Sequence, residues 1–336
     1  MTSIDVSGPA PVDGELADGG SGVGSAPIRA AITHDLATRR PVRVRDVVSA
    51  YVALTKLRII ELLLVTTVPA MFLAAGGIPP LTLVLATLVG GCLAAASANV
   101  FNCVLDRDID EQMRRTRRRP LPRHVVSPAA ATAFGLVLGL ASTLWLGYLV
   151  NWLSALLALT ANAFYVFVYT MVLKRRTSQN IIWGGIAGCF PPLIGWTAVT
   201  NSIAPEPFIL FAIVFFWTPP HTWALALRYR QDYASAGVPM LPVVKEAPAV
   251  ARQILVYSAA AVLVSLALWP VAQTGWLYPV VAGVAGAALL WESVALLRRA
   301  DAGLRDAALK PMRLFHWSNS YLALVFVAVA VDPLLF

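Results

Sequence analysis

Asn102, Asp106 and Asp110 recur at intervals of four in the run NVFNCVLDRDID. On a helix of 3.6 residues per turn each such step drifts by only about 40°, so the three side chains are expected on one face. Oxygen ligands in that pattern suit Mg²⁺, a hard ion that keeps several waters and is usually held by one or two carboxylates together with substrate phosphates. The plainer reading pairs these acids with Arg107, Arg114 and Arg115 on a solvated helix end. Asn102 argues against it, because it lies a turn deeper in an apolar stretch, where a carboxamide needs a partner. The run RRTRRRP follows within a few residues and offers a cradle for a polyanion. Carboxylates and arginines so placed describe a metal-bound diphosphate site, with Mg²⁺ as the expected cofactor.

A second polar cluster lies farther along, in HTWALALRYRQDYASAGVPM. His221 and Arg228 are seven apart and share a helix face, with Asp232 one further turn along. Having one acid among several basic groups, this cluster could complete the metal site through Asp232 while Arg228 and Arg230 face a different anion. Between the two clusters, Lys174, Arg175 and Arg176 close an apolar run, and membrane topology accounts for them. The run GGIAGCFPPLIGW suits close helix packing and a cavity wall equally well.

The elements that must position these residues follow from composition. The chain has 336 residues, of which 58% are hydrophobic and only 13% charged, and its mean hydropathy is +0.70. Soluble domains stand near 45–50% apolar and 25% charged, so a soluble enzyme is excluded. Long uninterrupted apolar runs exclude a β-barrel, whose strands would alternate. Nine windows reach the roughly 20 apolar residues a spanning helix needs: 59–77, 81–104, 128–149, 152–173, 180–200, 207–227, 253–273, 276–297 and 316–336. The expected fold is an all-α polytopic membrane bundle of nine transmembrane helices.

All 26 Lys and Arg fall in the N-terminal segment or in alternate, longer loops, and none in the short links GGIPP, VNW, TNSIAPEP and AQTG. The positive-inside rule then places the N-terminus and both polar clusters on the cytoplasmic side and Phe336 outside. That distribution also accounts for the net charge of +8 without nucleic acid. Both clusters fall at cytoplasmic ends four spans apart, as expected of a parallel internal repeat whose two loops face each other. Residues 1–46 are rich in Gly, Pro, Ala and Ser, lack the apolar core of a signal peptide and carry acids that a mitochondrial transit peptide would avoid. They read as a disordered cytoplasmic tail ahead of one membrane domain over 47–336 in a bacterial plasma membrane. Cys92, Cys103 and Cys189 fall in or at the ends of spans and imply no disulfide framework.

NVFNCVLDRDIDEQMRRTRRRPLP carries the NxxxDxxxD signature of the UbiA superfamily of intramembrane prenyltransferases. With YTMVLKRRTSQNIIWGGIAGCFPPLIGW and FWTPPHTWALALRYRQDYASAGVPMLPV, the chain resembles, over residues 50–336, the superfamily's protoheme IX farnesyltransferase (heme O synthase) branch. The WTPPH and DYxxAGVPM stretches select that branch. The resemblance implies transfer of farnesyl from farnesyl diphosphate to a vinyl group of heme B, with water supplying a hydroxyl, to give heme O. It implies that Asn102, Asp106, Asp110 and Asp232 hold Mg²⁺ and diphosphate, and that Arg115, Arg119 and Lys174 lie near the diphosphate. Trp217 and His221 belong to its heme-branch motif, and Arg228 and Arg230 stand where propionates could be met; His316 is the alternative heme-facing histidine. A heme A synthase would take the product onward. Leu57 and Thr222 depart from the branch pattern, which has Pro and Phe there. An aromatic or quinone prenyltransferase and a secondary transporter are the competing functions. A transporter would keep its coupling charges near the midplane, where only Glu61 and Glu292 lie, without evident partners.

Overall fold

In lipid every backbone N–H and C=O must be paired within its own segment, and long apolar runs meet that demand as helix. The computed structural model describes residues 44–56, 60–114 and 116–336, with the backbone alone for 60–64. Among the described residues every regular element is helical. In chain order these are α1 (Val44–Thr55), α2 (Ile60–Ala75), α3 (Leu81–Leu105), α4 (Arg107–Gln112), α5 (Pro128–Leu149), α6 (Trp152–Arg176) and α7 (Asn180–Thr200). There follow α8 (Pro205–Arg228), the short α9 (Arg230–Ser235) and α10 (Leu241–Val244), then α11 (Ala247–Ala272), α12 (Leu277–Asp301) and α13 (Pro311–Leu335).

Eight of these helices are long and apolar enough to cross a membrane. α2 is the exception to the expected nine. Its 16 residues reach about 24 Å at 1.5 Å per residue, short of a hydrocarbon core of about 30 Å. The chain is thus an all-helical polytopic bundle. The expected tail lies outside the described residues as far as position 43, with His34 in it. Its last three residues belong instead to α1, whose first turn carries Asp46 at the end where a helix favours negative charge. Leu57 and the side chain of Glu61 also lie outside the described residues.

Helices that share lipid as solvent associate through close packing and polar contacts rather than through apolar burial. α3 and α5 do so with Ser97 donating to the Gly135 carbonyl at 2.8 Å and Ser142 to that of Gly90 at 2.7 Å. α2 crosses α7 at Gly195, where a Cβ would lie 2.4 Å from the Thr67 carbonyl oxygen. The largest core joins α8, α11, α12 and α13 around Trp223, Tyr278, Tyr321 and Phe326. The Tyr278 hydroxyl donates to the Ser265 carbonyl at 2.7 Å. Asp332, near the end of α13, accepts from the backbone N–H of Gly275 and Tyr278 at 2.5 and 2.9 Å, satisfying the start of α12. Glu292, which has no partner in the sequence pattern, meets Arg299 at 2.5 Å and Arg313 at 3.3 Å.

Two local departures shape the site. Asn102, Asp106 and Asp110 do not share one continuous helix, because α3 ends at Leu105 and Asp106, at φ −94° and ψ 7°, links it to α4. The N–H of Asp106 still bonds the Asn102 carbonyl at 3.0 Å and that of Asp110 the Asp106 carbonyl at 2.8 Å, so the four-residue rhythm survives the break. Inside α6, Phe164–Leu173 widens to a π-helix. Such a long stretch is uncommon and tends to mark functional sites; no composition signal announces it.

Candidate active site

Asn102, Asp106 and Asp110 are all buried, with exposures of 3%, 0% and 2%. Buried charge requires opposite charge, and distant parts of the chain supply it. Lys174, at the end of α6, makes an ion pair with Asp106 Oδ2. Asn102 Nδ2 donates to the same oxygen at 2.7 Å and to Thr170 Oγ1 at 3.3 Å. Arg119 comes back through the turns after α4, where Thr116 donates to the Asp110 carbonyl at 3.1 Å. Its Nη1 then spans the Asp110 carboxylate at 2.9 and 2.7 Å.

Lys56, just beyond α1, donates to Asn102 Oδ1 at 2.6 Å. Burial is the main cause that lowers its amine to about 8, and the nearby Arg119 and Lys174 act in the same direction. The left-handed backbone at Lys56, φ 53°, turns the chain there. Sequence reasoning assigned Lys56 only to topology. A lysine at the entry to the first apolar run, two residues before Arg58, carries no spacing signal that distinguishes it.

Asp108 faces elsewhere. It forms a fork with Arg175, both bonds at 2.7 Å, and Arg175 also donates to the Leu105 carbonyl at 2.8 Å. The Arg175 guanidinium holds the Asp108 carboxyl below its usual range. Arg119, Lys174 and Arg175 are therefore the partners of the acidic run, in place of Arg107 and Arg114. Topology alone does not account for Lys174 and Arg175, because α6 ends beside the α3–α4 junction and brings them into reach. Arg115 lies outside the described residues.

These groups border a cavity of ≈ 190 Å³ lined by Lys56, Asn102, Asp110, Arg119 and Lys174. Tyr165 and Tyr169 of the π-helical segment contribute to the wall, with ring centroids 5.3 Å apart. From the second loop come Tyr233, Val238 and Met240, and Thr222 adds to the same wall. The two polar loops thus meet, as the repeat reading expects. The residues that meet are partly different: Asp232 is half-buried and is not among the lining residues, while its neighbour Tyr233 is. Arg228 and Arg230 are exposed and outside the lining.

Asp106 is held by the wall residues Asn102 and Lys174, and its buried Oδ1 makes no hydrogen bond, with Arg175 Nη2 3.9 Å away. Among the described residues no three His, Cys, Asp or Glu side chains form a ready-made metal group. A carboxylate with a spare buried oxygen, a second carboxylate and an amide oxygen nonetheless fit an ion that draws its other ligands from water and substrate phosphate.

His221 has its partners within the protein. Its Nδ1 lies 3.0 Å from Ser318 Oγ, and its ring is stacked between Trp217 and Phe315, with centroids 4.3 and 4.4 Å away. Trp217 is buried and donates to the Ser318 carbonyl at 2.7 Å. With both faces covered, only the edge of the imidazole is left for a ligand. His316 is exposed one turn before Ser320.

A second, apolar groove of ≈ 160 Å³ runs between α3, α6 and α7. It shares Tyr165 with the polar cavity. The run 184–196 serves both purposes foreseen for it. Gly184 and Gly185 give room to Tyr169 and Thr218, while Ala187, Gly188 and Pro191 line the groove.

Residues 63–319 match the UbiA prenyltransferase family. Three similar proteins carry the name protoheme IX farnesyltransferase. That of Cutibacterium acnes is 69% identical over 291 residues, covering 87% of this chain and 86% of the relative. That of a Nocardioides species is 65% identical, covering 87% and 93%. The Streptomyces coelicolor protein is 56% identical, covering 93% and 99%. Among solved structures, one described as a digeranylgeranylglyceryl phosphate synthase superposes with a TM-score of 0.70 at 15% identity, covering 87% of this chain and all of that one. A UbiA homologue from Archaeoglobus fulgidus, bound to DMAPP and Mg²⁺, gives 0.62 at 18% identity, covering 84% and 99%. At these identities the structures show a common fold.

Proposed function

The chain belongs to the UbiA prenyltransferase family, and from that premise we propose that it transfers farnesyl from farnesyl diphosphate to a vinyl group of heme B, giving heme O. The observation that carries this reading is that Tyr165 lines both a cavity walled by Lys56, Arg119, Lys174 and Asp110 and an adjoining apolar groove. An allylic diphosphate has the same two-part character. Its diphosphate lies against Lys56, Arg119 and Lys174, with Arg115 as a further proposed partner, and its chain lies along the groove.

When bound, Mg²⁺ would neutralise diphosphate charge and make it a better leaving group; Asn102, Asp106, Asp110 and Asp232 are the residues proposed to hold it. The basic side chains complete that neutralisation as the C1–O bond breaks, since preorganised charge stabilises what develops in the transition state. Lys174 and Arg119 are held by Asp106 and Asp110 beforehand, so they are already in position. The apolar walls keep bulk water from the allylic carbon. A bond then forms between C1 and the terminal vinyl carbon, water adds its oxygen to the inner vinyl carbon, and a proton leaves.

Heme is read on the α8–α13 side, with Trp217 and the His221 edge toward the ring and Arg228 and Arg230 toward the propionates. α2 is read as a ninth, shorter span within a single prenyltransferase domain over 47–336. The N-terminus and the site then face the cytoplasm across a bacterial plasma membrane. A heme A synthase is the expected consumer of the product. The test is incubation of the purified protein with labelled farnesyl diphosphate and Mg²⁺, offered heme B, a phenolic acid and a quinone precursor together as acceptors. Label in a heme product of the expected mass supports the reading, and label on a phenolic acid or quinone precursor instead of heme overturns it.

A further inference from the structure

The apolar groove has a measurable depth. Along α3 its wall runs from Asn99, beside the polar cavity, to Gly91, eight residue steps or about 12 Å at 1.5 Å per residue. An extended chain advances about 1.2 Å per bond, so the eleven main-chain bonds of a farnesyl group span about 13 Å. On the same count a geranyl group spans about 8 Å and a geranylgeranyl group about 18 Å.

The deep end is bounded by buried side chains. Ile194 of α7 and Ala158 of α6 line it, with exposures of 5% and 2%. Behind them, in one buried cluster, stand Leu146 and Ala155. Leu146 is itself packed tightly on α3, since a Cβ on Gly90 would come within 2.4 Å of Leu146 Cδ2. The side walls are mostly alanines and glycines on three helices, with Tyr165, Phe190 and Pro191 among them. The two wall amides turn their N–H groups to backbone, Asn99 to the Thr55 carbonyl at 3.0 Å and Asn162 to that of Ala94 at 3.3 Å. The rest of the lining is mainly apolar, as a hydrocarbon occupant requires.

We propose that Ile194 and Ala158 form the stop that sets the length of the prenyl chain at three isoprene units. The proposal rests on the prenyltransferase reading above and adds the specificity determinant to it. A fourth unit meets the Ile194–Ala158 floor while its diphosphate is still short of Lys174 and Arg119. A two-unit chain reaches the cations but leaves the floor uncovered, forfeiting apolar burial. Pocket discrimination by a few methylenes is worth roughly 10–200-fold.

The experiment is a competition in lipid nanodiscs containing the full chain, with heme B, Mg²⁺ and equimolar geranyl, farnesyl and geranylgeranyl diphosphates, and products separated by mass. Ile194→Ala deepens the groove and is expected to raise the geranylgeranyl-to-farnesyl ratio of kcat/KM by at least 10-fold. Ala158→Met shortens it and is expected to raise the geranyl-to-farnesyl ratio by a similar factor. Both should leave the affinity for inorganic diphosphate unchanged. The variants shift the ratio in opposite directions, so a general loss of folding cannot produce the pattern. Equilibrium binding of the three prenyl diphosphates is measured on the same samples. If the wild type transfers nothing to heme, the functional reading fails while the binding ratios still test the stop. Unchanged ratios in both variants, in turnover or in binding when turnover is absent, overturn it.

Discussion

Lys56 donates to the Asn102 carboxamide oxygen at 2.6 Å, joining the end of α1 to the last turn of α3 across 46 positions of sequence. The amide passes the contact on, since its Nδ2 donates to Asp106 at 2.7 Å. One cation thereby fixes which way Asn102 faces and adds its own charge to the cavity. Lys56→Met should lower kcat/KM for farnesyl diphosphate by about 10–100-fold, the range of a charge-assisted hydrogen bond of about 1.5–3 kcal/mol. Lys56→Arg should recover part of it. Equal activity in the wild type and Lys56→Met would remove Lys56 from the site.

Asp106→Asn and Asp110→Asn are expected to lower turnover at least 10²-fold and to weaken its Mg²⁺ dependence, because each removes charge that holds both a ligand position and a catalytic cation. Asp108→Asn should be much milder. Its carboxylate is 57% exposed and engages Arg175 away from the cavity, so losses comparable to those at Asp106 would contradict the division of roles. Steady-state turnover against Mg²⁺ concentration for all three variants is the measurement.

For the histidines, heme binding and its absorption spectrum in His221→Ala and His316→Ala decide the matter, with farnesyl diphosphate affinity as the control. His221→Ala should weaken heme binding and His316→Ala should leave it near the wild-type level. Ser318→Ala should alter the spectrum more mildly, because it frees the Nδ1 edge without removing the ring. A wild-type spectrum and affinity in His221→Ala would assign that residue to packing between Trp217 and Phe315 alone.

Asp332→Ala tests a purely structural role. It leaves the N–H groups of Gly275 and Tyr278 without their carboxylate, at a cost of about 1–3 kcal/mol for each buried group left unpaired. Thermal unfolding in detergent should shift down by several degrees while heme product per folded molecule stays level. An unchanged unfolding temperature would show that water satisfies those groups instead.

Gly195→Ala should be more severe still. Its Cβ would stand 2.4 Å from a backbone oxygen of α2, and backbone cannot swing aside as a long side chain can. Loss of the folded monodisperse peak in size-exclusion chromatography is expected. A stable, active variant would mean that α2 and α7 can separate at little cost.

By itself the sequence determined the helical membrane bundle, because uninterrupted apolar runs leave the backbone no other way to satisfy its hydrogen bonds. Eight span boundaries agree with the helices to within several residues, and the NxxxDxxxD run located one wall of the site. Spacing is legible wherever the partners lie on one local element. Tertiary structure alone decided which cations answer which acids: Arg119 for Asp110, Lys174 for Asp106, Arg175 for Asp108. All the arginines of the loop look alike in sequence, and the choice among them depends on where α6 ends relative to α3. Only the fold could show that Lys56 enters the cavity, that His221 is enclosed by Trp217 and Phe315, or that Tyr233 joins the cavity wall. The break at Asp106 and the π-helical segment Phe164–Leu173 belong with these, because both are departures from regular α-helix and the periodicity of an apolar run carries no record of either.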